Sequence, residues 1–279
     1  MLMFTVIVFI IGIRVFSTFS LQPADFFTGE GPYIFVGEGA RALAPGHTAA
    51  ALSAVVQIGA DGVVLNVERS RDGVLVAVSS PTLADFTESD RLVSQLSLVE
   101  LKLLNAAYRY PEVVAGPQQI LELRQVLEDF AGLRLLLQAD DEILDSVCEL
   151  LVFHQAMNRV LLYKSSLNSF NESSLNRTTG KCQGLATANQ MGADFLIAQR
   201  IGIVKLFQPR DHLLLSASHR MGLTVFNDSI VYDAARVGLH TGLISDQLSE
   251  QLDALKHRVS VVIAADPSEL LNRRSNSGQ

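Results

Sequence analysis

The sequence predicts a closed (β/α)8 barrel, and three observations carry that expectation. Short apolar runs alternate with amphipathic helical patterns from Tyr33 onward. The strand-like runs are apolar on successive positions, as strands covered on both faces are. The alternation also fills about 250 residues, the length such a barrel takes. An open doubly wound sheet is the alternative, but no G-x-G-x-x-G follows a strand to support one.

Taken in order, Tyr33–Val36 is a strand closed by Gly37. Thr48 caps a helix through AAALSAVVQI, which Gly59 stops. Gly62–Val67 and Val74–Val78 are strands joined at Arg71-Asp72-Gly73, a strong hairpin signal. Helices are expected at Leu98–Ala106 (capped by Ser97), Pro117–Phe130, Asp141–Phe153, His212–Met221 and Leu248–Leu255. Further strands are expected at Leu133–Leu137, Val160–Tyr163, Ala193–Ile197, Leu223–Phe226, Gly242–Ser245 and Val259–Ala264. The last two compete as the closing strand. No internal repeat is present.

Apolar residues make up 48% and charged residues 18% of the 279, which suits a buried interior and argues against disorder. A net charge of -7 disfavours nucleic acid and anionic membrane surfaces, both of which demand clustered Lys and Arg. Asn272-Arg273-Arg274 reads as a solvated terminus. Cys148 and Cys182 lack metal-type spacing; they are free thiols or one disulfide.

Met1–Ile13 is uninterrupted apolar sequence, broken by Arg14. It is short for a membrane-spanning helix and suits a signal-peptide core, with Thr18-Phe19-Ser20 as a small-x-small cleavage site. If Arg14 snorkels, the segment through Leu21 serves instead as an anchor; a buried strand or helix is the alternative. Sequons at Asn171, Asn176 and Asn227 are compatible with a secretory route. The expected organisation is a leader or anchor at 1–21, a barrel at 33–272 and a tail at 273–279, secreted or membrane-anchored.

Several local motifs carry a family likeness. Gly37-Glu38-Gly39 stands where a His-Arg-Gly would end the first strand, and Pro45-Gly46-His47-Thr48 where Pro-Glu-Asn-Thr would follow. Gly59-Ala60-Asp61-Gly62-Val63-Val64-Leu65-Asn66-Val67 parallels G-A-D-G-x-E-x-D-V. Ser79-Ser80-Pro81-Thr82-Leu83 parallels His-Asp-Pro-Thr-Leu, and Ser94–Leu101 parallels S-D-L-T-x-x-E-L. Later, Gln138-Ala139-Asp140 takes the place of Glu-x-Lys, Ser169–Glu172 resembles S-F-D-x-E, and Gly238–Leu252 resembles a closing G-V-D-G-I-I-T-D-x-P. On these residues the chain resembles the glycerophosphodiester phosphodiesterase family, barrels of the phospholipase-C-like phosphodiesterase type. The resemblance covers about Tyr33–Leu252 and is densest over Gly37–Leu101.

The resemblance implies hydrolysis of glycerophosphodiesters with a divalent metal and two histidines. It also shows what is replaced. The histidine positions hold Gly37 and Ser79, with Ser80 beside the second. The metal-carboxylate positions hold Val64, Asn66 and Gln138, and the phosphate-facing basic positions hold Glu38 and Asp140. A hard cation wants anionic oxygen ligands. Acid–base catalysis wants a group that titrates near neutrality. A phosphate wants positive charge. All three requirements fail together, so the expectation is a catalytically inactive barrel with no catalytic residue, no metal and no cofactor. Its partner would be a polar ligand or a protein at the mouth, with membrane association through the N-terminal segment and no nucleic acid.

The rival expectation is an active phosphoric diester hydrolase, or a lyase or hydrolase on a related substrate. It would use His47 and Asp140 as substitutes, with Glu38 and Asn66 in new roles and Ca²⁺ or Mg²⁺ bound. His47 reads first as a loop or capping residue, because a base needs a partner and a geometry. His154, His212, His219 and His257 lie on helical patterns, and His240 beside a strand. Asp140-Asp141-Glu142 reads first as the N-terminal charge of the next helix. Ser79-Ser80 has no G-x-S-x-G elbow to make a nucleophile. A third class, an interaction protein, would show an exposed apolar patch away from the mouth.

Overall fold

The computed structural model describes residues 33–110, 116–140, 142–164, 184–186, 203–205, 224–226, 229–231, 240–244, 247–249, 252 and 261–277. Eight parallel strands form the barrel: β1 (Tyr33–Val36), β2 (Gly62–Arg69), β5 (Arg134–Ala139), β6 (Val160–Lys164), β7 (Gly184–Ala186), β8 (Ile203–Lys205), β11 (His240–Ile244) and β12 (Val261–Ala264). Their ladder runs β7-β6-β5-β2-β1-β12-β11-β8, and its two ends, β7 and β8, lie against each other. The open doubly wound alternative is thereby excluded. The closing strand is β12, paired with β1 from Tyr33↔Val261 to Val36↔Ala264, and His240–Ile244 is the seventh strand.

Several expectations change. Leu223–Phe226 is no barrel strand: β9 (Thr224–Phe226) pairs antiparallel with β10 (Ser229–Val231) in a separate hairpin. The helix expected at Pro117–Phe130 begins late, because β4 (Leu121–Glu122) pairs with β3 (Leu75–Ala77), and α3 (Leu123–Asp129) follows. The edge of β3 takes those backbone groups before helix can. The tail boundary at 272/273 falls inside a helix, α5 (Ser268–Ser277). The segments Ala193–Ile197 and His212–Met221 lie outside the described residues.

Side-chain alternation sorts the core into two layers. Val63, Leu65 and Val67 of β2 and Leu135 and Leu137 of β5 face outward. They pack against α1 (Ala49–Gln57), α3 and α4 (Leu144–Phe153) through Leu52, Val55, Val126, Val147 and Leu151. Phe35, Val64 and Leu136 take the alternate positions inside the barrel, buried. Gly62 is a packing glycine. A Cβ there would lie 2.3 Å from the Arg134 carbonyl oxygen and 2.4 Å from the Phe35 ring. Gly59 has φ +71° and open space around it, so it serves α1 as a C-terminal stop. Thr48 caps α1, its Oγ1 accepting from the Ala51 N–H at 3.3 Å.

Asp61 closes the bottom of the barrel, the end where strands begin. It accepts the Ile34 N–H at 2.8 Å and the Arg274 guanidinium at 3.0 Å. Arg274 is thus a docked residue of α5, where the sequence suggested a solvated end. Asp61→Ala is expected to cost about 2 kcal/mol and Arg274→Ala about 1 kcal/mol or less. The first strands a strand N–H, whereas the second removes only a partly exposed charge. Urea unfolding of both variants checks this, and equal losses would refute the assignment.

The segment between β3 and β4 forms a second small core of Val76, Leu83, Phe86, Val93, Leu101 and Ile120. The β2–β3 hairpin clamps it in place. The Arg71 N–H donates to the Leu96 carbonyl at 2.8 Å, and its guanidinium reaches Glu100 at 2.8 Å. Asp72 accepts the Leu98 N–H at 3.0 Å. Ser97 and Glu100 complete a capping box on α2 (Leu98–Lys102). That helix ends sooner than expected, since Asn105 Oδ1 accepts the Ala107 and Gln118 N–H groups and turns the chain.

Candidate functional site

The C-terminal ends of barrel strands form the mouth, where barrels of this kind carry their chemistry. Asn66 and Gln138 sit directly opposite each other on β2 and β5, both half-buried. One rung below them, Val64 faces Leu136, and both are buried. The Asn66 side-chain amide donates to the Ser79 carbonyl at 3.3 Å, bringing β2 to the segment after β3. Ser80 Oγ accepts the Thr82 N–H at 3.1 Å and so shapes a turn. Gly37 donates its N–H to the Ala264 carbonyl at 2.7 Å. A Cβ at Gly37 would make only ordinary contacts, so the absent side chain is not a matter of space.

These positions therefore converge, and their chemistry is neutral. For a divalent cation, Val64 offers hydrocarbon, while Asn66 and Gln138 offer two uncharged carbonyl oxygens. That set does not fit a hard cation, which needs anionic ligands to offset its dehydration. Among the described residues, no three His, Cys, Asp or Glu side chains gather in a way that could hold a metal.

His47 is 3% exposed and has φ +63°. Its Nε2 accepts the Asn66 N–H at 3.0 Å, so the proton of the neutral ring sits on Nδ1, which has no partner. The ring fills the space over Gly39, where a Cβ would lie 2.1 Å from Nδ1. Burial first, and the Arg41 charge second, lower its pKa to about 3. A lone pair spent on a backbone N–H is not available to take a substrate proton. The ring props the first mouth loop against β2, which gives His47 a positioning task.

Glu38 follows Gly37 at the start of the first mouth loop. It is exposed, with φ +50°, and its carboxylate pairs with Arg41 at 2.6 Å. Asp140, exposed at the end of β5, has a companion that the family pattern did not single out. Glu68 lies two residues beyond Asn66 and so shares its strand face. Burial pushes the Glu68 pKa up, and the Asp140 charge adds to the rise. The mouth thus carries two neighbouring carboxylates one step beyond the neutral amides. Alternation along β2 was the signal that could have found Glu68.

Comparison with known proteins bears on this arrangement. The model of the glycerophosphoryl diester phosphodiesterase family matches residues 38–147. A glycerophosphodiester phosphodiesterase of Caldanaerobacter subterraneus is 34% identical over 84 residues, covering 30% of this chain. The chain spans about a third of that relative's length. Among solved structures, a glycerophosphodiester phosphodiesterase from Agrobacterium tumefaciens superposes with TM-score 0.68 at 18% identity, over 86% of this chain and 99% of that one. An Oleispira antarctica phosphodiesterase, solved with its product sn-glycerol-3-phosphate, gives TM-score 0.64 at 18% identity, over 88% and 97%. At that identity the two structures establish the barrel fold.

Proposed function

We propose that the chain is a catalytically inactive member of the glycerophosphoryl diester phosphodiesterase family, whose model matches residues 38–147, and that its mouth holds a ligand or partner without hydrolysing it. One observation carries this reading: Asn66 and Gln138 face each other as neutral amides above Val64. Gly37 and Ser79 add no titrating group, and His47 is committed to the backbone. Neighbouring carboxylates at Glu68 and Asp140 oppose a phosphodiester entering the mouth.

The same chain is proposed to follow the secretory route, held by or released from its N-terminal apolar segment. Cys148, buried on α4, is disulfide-bonded, which suits an oxidising compartment; Cys182 lies outside the described residues. Among the described residues, no helix is long and apolar enough to cross a membrane.

The test is hydrolysis of glycerophosphocholine by the purified full chain with Ca²⁺, Mg²⁺ or Mn²⁺, beside an active family enzyme that sets the detection limit. The expected result is no metal-dependent turnover above background, and turnover would overturn the reading. The raised pKa of Glu68 favours one second reading, an acid–base pair with Asp140 in a non-standard phosphodiesterase site. Loss of any turnover in Glu68→Gln would then identify it.

A further inference from the structure

We infer that the bottom of the barrel, the end opposite the mouth, rests on a lipid bilayer, with the mouth turned away from it. Three observations converge on that end. The first is where the chain enters. Tyr33 opens β1 at the bottom, and only residues 22–32 separate it from the apolar segment Met1–Leu21. Fully stretched, those residues span at most about 40 Å.

The second observation is what the bottom exposes. Val152 and Phe153, 56% and 79% exposed, end α4 just before the turn into β6. Val56, 54% exposed, ends α1 just before Gly59 and β2. The hydrogen bonds from the Asp61 N–H to the Ile34 carbonyl and from the Leu135 N–H to the Arg159 carbonyl fix both helix ends at the level where strands begin. Apolar side chains thus end two of the helices around the bottom rim, the end to which the apolar segment leads.

The third observation is the charge around that rim. Arg274 pairs with Asp61, Arg273 with Glu269, and His154 lies 3.7 Å from Glu128. Charges of both signs ring that end, with no run of cations among the described residues, so its attraction is apolar and calls for no anionic lipid. That agrees with the net charge of -7, which gives an anionic surface nothing to hold. A second apolar face exists on α2, where Val99 and Leu103 are 71% and 80% exposed. It lies beside the β2–β3 hairpin, about 23 Å up β2 from the bottom, and so provides the internal comparison.

The experiment places an environment-sensitive dye on Phe153→Cys or on Leu103→Cys. Both residues are largely exposed, so neither change disturbs the core. The full chain is reconstituted into phosphatidylcholine vesicles carrying nitroxide lipid. The expected result is loss of emission at position 153 and none at 103, unchanged by high salt. Quenching at 103 alone, at both positions or at neither overturns the proposal, as does recovery of the chain free of vesicles. Energy transfer between copies at 153 that disappears on dilution would assign the rim to a second copy and overturn it as well. None of these readouts depends on whether the mouth hydrolyses a diester.

Discussion

His47→Asn is expected to flatten the acid side of the stability profile. The native ring is neutral, with its pKa lowered to about 3 by burial and by Arg41, while in the unfolded chain it titrates near 6.5. Below that value the unfolded state binds a proton that the native state refuses, so stability falls as pH falls from about 6.5 toward 3. Each unit of that window costs about 1.4 kcal/mol, and the whole window costs on the order of 4 kcal/mol. Above 6.5 the group contributes no slope. Asparagine tolerates positive φ and offers an oxygen to the Asn66 N–H, but it leaves the space over Gly39 less filled. The variant should be about 1–2 kcal/mol weaker at pH 7, and that deficit should vanish or reverse below pH 5. Urea midpoints at pH 7, 5.5 and 4.5 measure it. Other carboxylates titrate in both proteins and cancel in the difference. Parallel profiles would sink the assignment of His47 as a buried neutral prop.

Gly62→Ala is the second large effect. The new methyl would meet the Arg134 carbonyl oxygen at 2.3 Å and the Phe35 ring at 2.4 Å. A backbone carbonyl in a strand cannot step aside without breaking the β2–β5 ladder. The expected cost is about 3 kcal/mol or more, with loss of soluble protein as the extreme. Gly59→Ala is the control. It meets open space and should cost about 1 kcal/mol, from its positive φ alone. Thermal unfolding of the pair separates contact from conformation. Equal losses would mean that β2 and β5 can spread at that point, contrary to the geometry described.

The barrel was legible because its first half is locally consistent. Gly59 stops α1, Thr48 and Ser97 cap their helices, and Asp72-Gly73 turns the hairpin, each by a mechanism confined to a few residues. What was not legible depended on distant partners. Leu121 and Glu122 look helical until β3 supplies an edge. Thr224–Phe226 looks like a barrel strand until Ser229–Val231 pairs with it. Arg274 looks like a loose end until Asp61, 213 positions away, receives it. At the mouth, motif positions located Asn66, Gln138 and Ser79. They could not reveal that Glu38 turns to Arg41, that the His47 ring is already spent on a backbone N–H, or that Glu68 joins Asp140. Those are facts of side-chain direction, which spacing alone does not carry.

The pairing of β1 with β12 also sets an order of events during synthesis. The first strand leaves the ribosome with one edge bare, and that edge waits for some 225 further residues before Val261–Ala264 arrives. Until then it is a template for any passing extended chain. Asp61 waits longer still, since its partner Arg274 follows it by 213 positions. A chain halted between Ala264 and Arg274 would therefore have its strands but lack its latch. Quality control would meet a chain halted before Val261 as an open sheet with a bare edge.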